Sequence, residues 1–91
     1  MQIKAKVQII FPKKRQNALY EHQFIRVEEQ GTKNVFDVQF YNEKMKLLEE
    51  AEIKEGDDVE IEANLNGKFW EKEGKSGIFL KLNGQKISVC S

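Results

Sequence analysis

Three features of the sequence predict an all-β domain with one short helix. Five stretches alternate apolar with polar residues, one helix-like stretch lies between the third and the fourth, and clusters of Gly, Asn, Asp and Pro separate them. The order β-β-β-α-β-β within 91 residues is that of a five-stranded OB-fold Greek-key barrel with the helix between strands 3 and 4, residues 1–91 forming one domain.

In the first strand Ile3, Ala5, Val7, Ile9 and Phe11 alternate with Gln2, Lys4, Lys6, Gln8 and Ile10, the period of a strand with one buried face. Pro12 ends it, since proline cannot donate to a ladder, and residues 13–17 follow as a polar, basic connection. The second strand runs from Leu19 to Glu28 with conflicting phases. Leu19, Ile25 and Val27 share one parity and Tyr20 and Phe24 the other, which a bulge would reconcile. After a turn bracketed by Gly31 and Asn34, the third strand places Phe36, Val38 and Phe40 inward and Asp37, Gln39 and Tyr41 outward.

Asn42 has the side chain of an N-cap for the segment Glu43–Glu50, whose Met45, Leu48 and Leu47 form an apolar side that plugs the barrel together with Ile53. Lys54 to Asp57 make a turn. Val59, Ile61, Ala63 and Leu65 mark the fourth strand, and Ile78, Leu80 and Leu82 the fifth, which continues past a kink at Gly84 through Ile87 and Val89. Between them, residues 66–77 hold three glycines and read as a mobile hairpin.

Composition narrows the function classes. A chain of this length leaves little room for catalytic machinery beyond its core, so no enzyme is expected. His22 is the only histidine and reads as a solvated or hydrogen-bonded strand residue, Cys90 is a single incidental thiol, and neither a Walker loop nor a dinucleotide fingerprint occurs. No metal and no cofactor are expected. No apolar run reaches the length of a membrane span, and the opening residues lack an apolar signal-peptide centre, which points to the cytoplasm.

Net charge is zero, yet it is segregated. Residues 1–26 carry six basic groups against Glu21, residues 63–91 carry five lysines against two acids, and residues 43–62 carry nine acids against three lysines. Such asymmetry suits a domain that turns one electropositive side towards a polyanion. Trp70, the only tryptophan, stands in the hairpin beside Phe69 and among Lys68, Lys72 and Lys75. Aromatic faces with interleaved lysines are the parts of a single-strand binder, because every base has a face to stack and every nucleotide a phosphate. Tyr41, beside Gln39 on the third strand, and Tyr20 are further platforms.

Several runs together resemble a known family. Met1 to Val7, Phe36 to Asn42 leading into Lys44 to Leu48, Ile53 to Asp57 before Val59 to Ile61, and the hairpin Gly67 to Trp70 are similar to small OB-fold proteins of the bacterial and phage single-stranded-DNA-binding class. That class usually has Trp followed by Gly or Asp where this chain has Tyr41 and Asn42. The Gly/Pro-rich tail and acidic tip of its full-length members have no counterpart up to Ser91, so recruitment through a tail is not expected. The resemblance implies a role in DNA replication or repair and frequent self-association.

The expected function is sequence-tolerant binding of single-stranded DNA, with RNA as the other polyanion the residues would suit. Lys4, Lys6, Lys13, Lys14, Arg15, Lys68 and Lys75 are the expected phosphate contacts, and Tyr20, Gln39, Tyr41, Phe69 and Trp70 the expected base contacts. The alternative is a protein-interaction barrel acting through an exposed strand edge or the 66–77 hairpin.

Overall fold

The computed structural model describes residues 1–90. The strands are β1 (Gln2–Ile10), β2 (Lys14–Asn17), β3 (Tyr20–Glu29), β4 (Val35–Tyr41), β5 (Asp58–Lys72) and β6 (Lys75–Val89). A 3-10 turn (Asn42–Lys44) and the helix α1 (Met45–Glu50) lie between β4 and β5. The sheet runs β1-β5-β6-β4-β3-β2, and pairing of β1 with β3 closes a ring of five strands. The joint between β4 and β6 is parallel and spans only two residue pairs, Val38 with Leu82 and Gln39 with Asn83.

The core fills the ring. Ile3, Ala5, Val7, Ile25, Val27, Val38, Phe40, Val59, Ile61 and Ala63 point inward, and Met45 and Leu48 of α1 close one end with Leu47 and Ile53 packed beside them. Burying side chains of this size contributes about 1.5–3 kcal/mol each for the larger ones. Phe40 is the largest fully buried side chain, and its ring occupies the space where Gly84 has no side chain: a Cβ at Gly84 would meet the ring at 2.2 Å. Opposite Gly84 the register of β5 and β6 shifts, between Glu62 and Ala63, so the expected kink in the last strand is a bulge at which a ring lies against backbone.

Several expectations need correction. The sheet has six strands, because residues 14–17, expected as a loop, form β2 on the edge beside β3. All four of its residues are exposed, so it lacks the apolar alternation by which a strand is read. As a result the helix follows the fourth strand in the chain, not the third.

The expected bulge in the second strand is absent. Pairing of β3 with β4 is continuous from His22 with Tyr41 to Glu28 with Val35. Gln23 takes the inward position ahead of Ile25 and Val27 and donates to the Phe11 carbonyl at 2.8 Å, while Leu19 stays in the turn, 88% exposed. The bulge lies in β1, between Val7 and Ile9, and turns Ile10 rather than Ile9 towards the core, opposite Ile25.

Asn42 is not the helix cap. It adopts φ of 50°, opens the 3-10 turn, and its Oδ1 accepts the Glu21 backbone N–H at 3.0 Å, fastening the turn to β3. The hairpin at 66–77 is regular structure: β5 and β6 stay paired to Lys72 and Lys75 and turn over Glu73 and Gly74, both at positive φ. Fifteen-residue strands are longer than the barrel needs, so their outer halves project as a ribbon. Leu65, Ile78 and Leu80, expected inside, lie on that ribbon and are exposed, at 51%, 65% and 65%.

Candidate nucleic-acid interface

Strand periodicity and register build two surfaces that meet. On the outer face of β3 stand Tyr20, His22 and Phe24, and on that of β4 Gln39 and Tyr41, with His22 opposite Tyr41 and Phe24 opposite Gln39. Tyr20 stacks on Tyr41, with ring centroids 6.1 Å apart and planes 21° apart. His22 lies between Tyr20, at 5.6 Å, and the edge of Phe24, at 5.3 Å. Gln39 is buried and its Nε2 donates to the Tyr20 hydroxyl at 2.7 Å, which fixes the ring.

The second surface is one face of the ribbon. Register pairs Asn66 with Lys81, Lys68 with Phe79, Trp70 with Gly77 and Lys72 with Lys75, so these residues share a face. It carries four lysines and two aromatics and no carboxylate, Glu71 falling on the other side opposite Ser76. Trp70 and Phe79 are in contact, with centroids 5.9 Å apart. Gly77 gives the indole its seat, since a Cβ there would come within 2.8 Å of the Trp70 Nε1.

The surfaces converge on a cleft of about 510 Å³ lined by Tyr20, Gln39, Tyr41, Asn66, Gly67, Lys68, Phe79, Lys81 and Asn83. Along β3 the aromatic row continues to a smaller hollow of about 220 Å³ lined by Phe11, Pro12, Lys14, Phe24 and Asp37. Two of its lining residues are held by Arg26, which makes a two-pronged ion pair with Asp37 at 2.8 and 3.0 Å and lies over the Phe11 ring. The carboxylate pushes the Arg26 guanidinium up, through hydrogen bonding first and charge second.

Of the residues expected from sequence, the cleft brings together Tyr20, Gln39, Tyr41 and Lys68, with Trp70 and Lys75 further out on the same ribbon face. Phe69 is on the opposite face, across from Ile78. Lys14 reaches the smaller hollow. Lys13 is ion-paired with Glu49, whose carboxyl its hydrogen bond and charge hold below the ordinary range, and Arg15 is paired with Glu21 at 2.9 Å. Lys4 and Lys6 lie on β1 across from Glu60 and Asp58, outside the cleft and among carboxylates.

Phe79, Lys81, Asn66 and Asn83 were missed. Once Ile78 and Leu80 are assigned to one side, alternation alone assigns Phe79 and Lys81 to the other, so that signal was present. His22 also differs from expectation: it is 7% exposed, and its Nδ1 has no hydrogen-bond partner among the described residues. No group of metal-ligating residues occurs among the described residues, and no helix there is long and apolar enough to cross a membrane.

No family model and no curated protein sequence matches the chain. Solved structures do. Crystal structures of mitochondrial single-stranded DNA binding proteins from S. cerevisiae, Rim1, superpose with a TM-score of 0.78 for one crystal form and 0.70 for another. Each is 18% identical to this chain; the matches cover 98% of it and 91% and 89% of the respective Rim1 chains. The chain shares their fold. At this identity the likeness is one of fold, and the side chains of the cleft are read from this chain alone.

Proposed function

We propose that the protein binds single-stranded DNA, largely irrespective of base sequence, along the path from the ribbon through the cleft to the outer face of β3. The carrying observation is the ribbon face on which Lys68, Lys72, Lys75 and Lys81 surround Trp70 and Phe79 without a carboxylate, opening onto the Tyr20–Tyr41 stack. Bases stack on the rings, the lysines follow the phosphates, and Lys14 with Phe24 and Phe11 extends the path. Lys13 and Arg15 are already neutralised within the protein, and Lys4 and Lys6 lie off the path. The resemblance to bacterial and phage proteins and the shared Rim1 fold support this reading.

Trp70 is the only tryptophan, so its fluorescence reports on the proposed site. Titration with oligo-dT is expected to quench it, and four phosphate contacts predict that log Kd rises with log salt with a slope of about 3. An oligo-U series under the same conditions measures the preference between DNA and RNA. Absence of quenching, together with no shift in an independent mobility assay, overturns the proposal.

A second reading is favoured by the ribbon's other face. Met1, Val35, Leu65 and Leu80 are exposed around a hollow of about 580 Å³, with Phe69 and Ile78 continuing the apolar surface outward. An apolar surface of this kind calls for a protein partner, and a second copy of the chain meets it with the same aliphatic side chains. Pairing of copies would also join two weak single-strand sites through effective concentration. Light scattering at micromolar protein is expected to give a multiple of the chain mass, and Leu80→Glu to give the monomer with unchanged β content. A monomeric wild type at that concentration removes this reading.

A further inference from the structure

Resting on the single-strand reading of the cleft, we infer that Asn83 reads the Watson–Crick edge of one unpaired base there. The site then recognises a base by its edge as well as by its face.

The side-chain amides of the sheet form a row across three strands. Asn83 of β6 pairs with Asn64 of β5 on one side and with Gln39 of β4 on the other. The two buried members of this row differ in what they do. Gln39 has its amino group engaged: its Nε2 donates to the Tyr20 hydroxyl. Asn83 is 8% exposed, lines the cleft, and its side chain makes no hydrogen bond to any described residue. Among the described residues the one sealed side-chain polar atom without a partner is the His22 Nδ1, so the Asn83 amide is open to the cleft, and its donor and acceptor are available for a ligand.

Its surroundings define that ligand. The Tyr41 and Phe79 rings border the same cleft and offer faces for a planar heterocycle, while Lys68 and Lys81 at the rim suit the phosphates on either side of it. An amide presents N–H and C=O side by side. Thymine presents N3–H beside a carbonyl oxygen, and cytosine presents N3 beside an N4 amino group, so either pattern is matched by turning the amide over. Edge reading of this kind tolerates sequence. It does not tolerate base pairing, because in a duplex the same edge is occupied. Asn83 therefore adds selectivity for single strands to the unspecific attraction of the lysines.

The test compares oligo-dT with an oligo of the same length built from N3-methylthymidine, which keeps ring and charge but replaces the N3–H donor by a methyl group. Wild type is expected to bind the methylated strand about fivefold more weakly, the range of one net hydrogen bond. Asn83→Leu, close in size and apolar, is expected to bind both strands equally, at the wild-type level for the methylated one, with a thermal melt confirming the fold. Equal affinity of wild type for the two strands, or undiminished discrimination by Asn83→Leu, overturns the inference and leaves stacking and phosphate contacts in place. Failure of both strands to bind wild type overturns the single-strand reading itself along with it. The wild-type comparison needs no variant to fold.

Discussion

Gly84→Ala is expected to lower stability by about 3 kcal/mol and the melting temperature by roughly 15 °C. The added Cβ would lie 2.2 Å from the Phe40 ring, and Phe40 is fully buried with no space to retreat into. Backbone conformation does not contribute, since Gly84 is not among the glycines at positive φ, so the penalty is one of packing. This has a consequence for a double mutant. Phe40→Leu alone is expected to destabilise by removing part of a buried ring, yet in the Gly84→Ala background it is expected to restore part of the loss, because the smaller side chain makes room for the methyl group. Thermal and urea unfolding followed by circular dichroism measure the cycle. Additive effects would mean that the ring and the glycine do not share this space.

Trp70→Ala and Tyr41→Ala are each expected to weaken binding of oligo-dT by about 1–3 kcal/mol, or roughly 5- to 150-fold in Kd, without comparable loss of stability. Trp70 belongs to the ribbon, outside the buried cluster, and Tyr41 is on the outer face of β4, so neither holds the barrel together. Anisotropy of a labelled strand is the readout, as Trp70→Ala removes the intrinsic fluorophore. Phe69→Ala is the informative companion, since Phe69 is the sequence neighbour of Trp70 but on the opposite face, across from Ile78. It is expected to leave strand affinity of the monomer unchanged. Equal losses for Phe69→Ala and Trp70→Ala would show that the two-faced ribbon is not how the chain contacts nucleic acid.

The closed β barrel, the helix that plugs it and most of the core could be read in the sequence, because each follows from a local period. Ile3, Ala5 and Val7, then Val38 and Phe40, then Val59, Ile61 and Ala63 alternate strictly, and a pleated strand has no other way to bury one face. Met45 and Leu48 share a helical face for the same kind of reason. The aromatic and basic character of the candidate site was legible too, in Tyr41, Gln39, Lys68 and Trp70, since residue chemistry does not depend on the fold.

Non-local pairing decided the rest. Alternation says that Phe69 and Trp70 face opposite ways, but only the pairing of Trp70 with Gly77 and of Lys68 with Phe79 says which of them shares a face with the other aromatic. Alternation gives Leu65, Ile78 and Leu80 the pattern of core residues, and only the length of the ribbon beyond the barrel puts them in solvent. The cations show the same limit. Lys4 and Lys6 read like Lys68 in sequence, yet β1 lies beside Glu60 and Asp58, while Lys13 and Arg15 meet Glu49 and Glu21 across 36 and 6 residues of chain. Period and composition are properties of neighbours along the chain and are fixed by the sequence alone. Which charges remain unpaired, and which apolar faces remain uncovered, depends on register between distant segments, and that exists only once the barrel has closed.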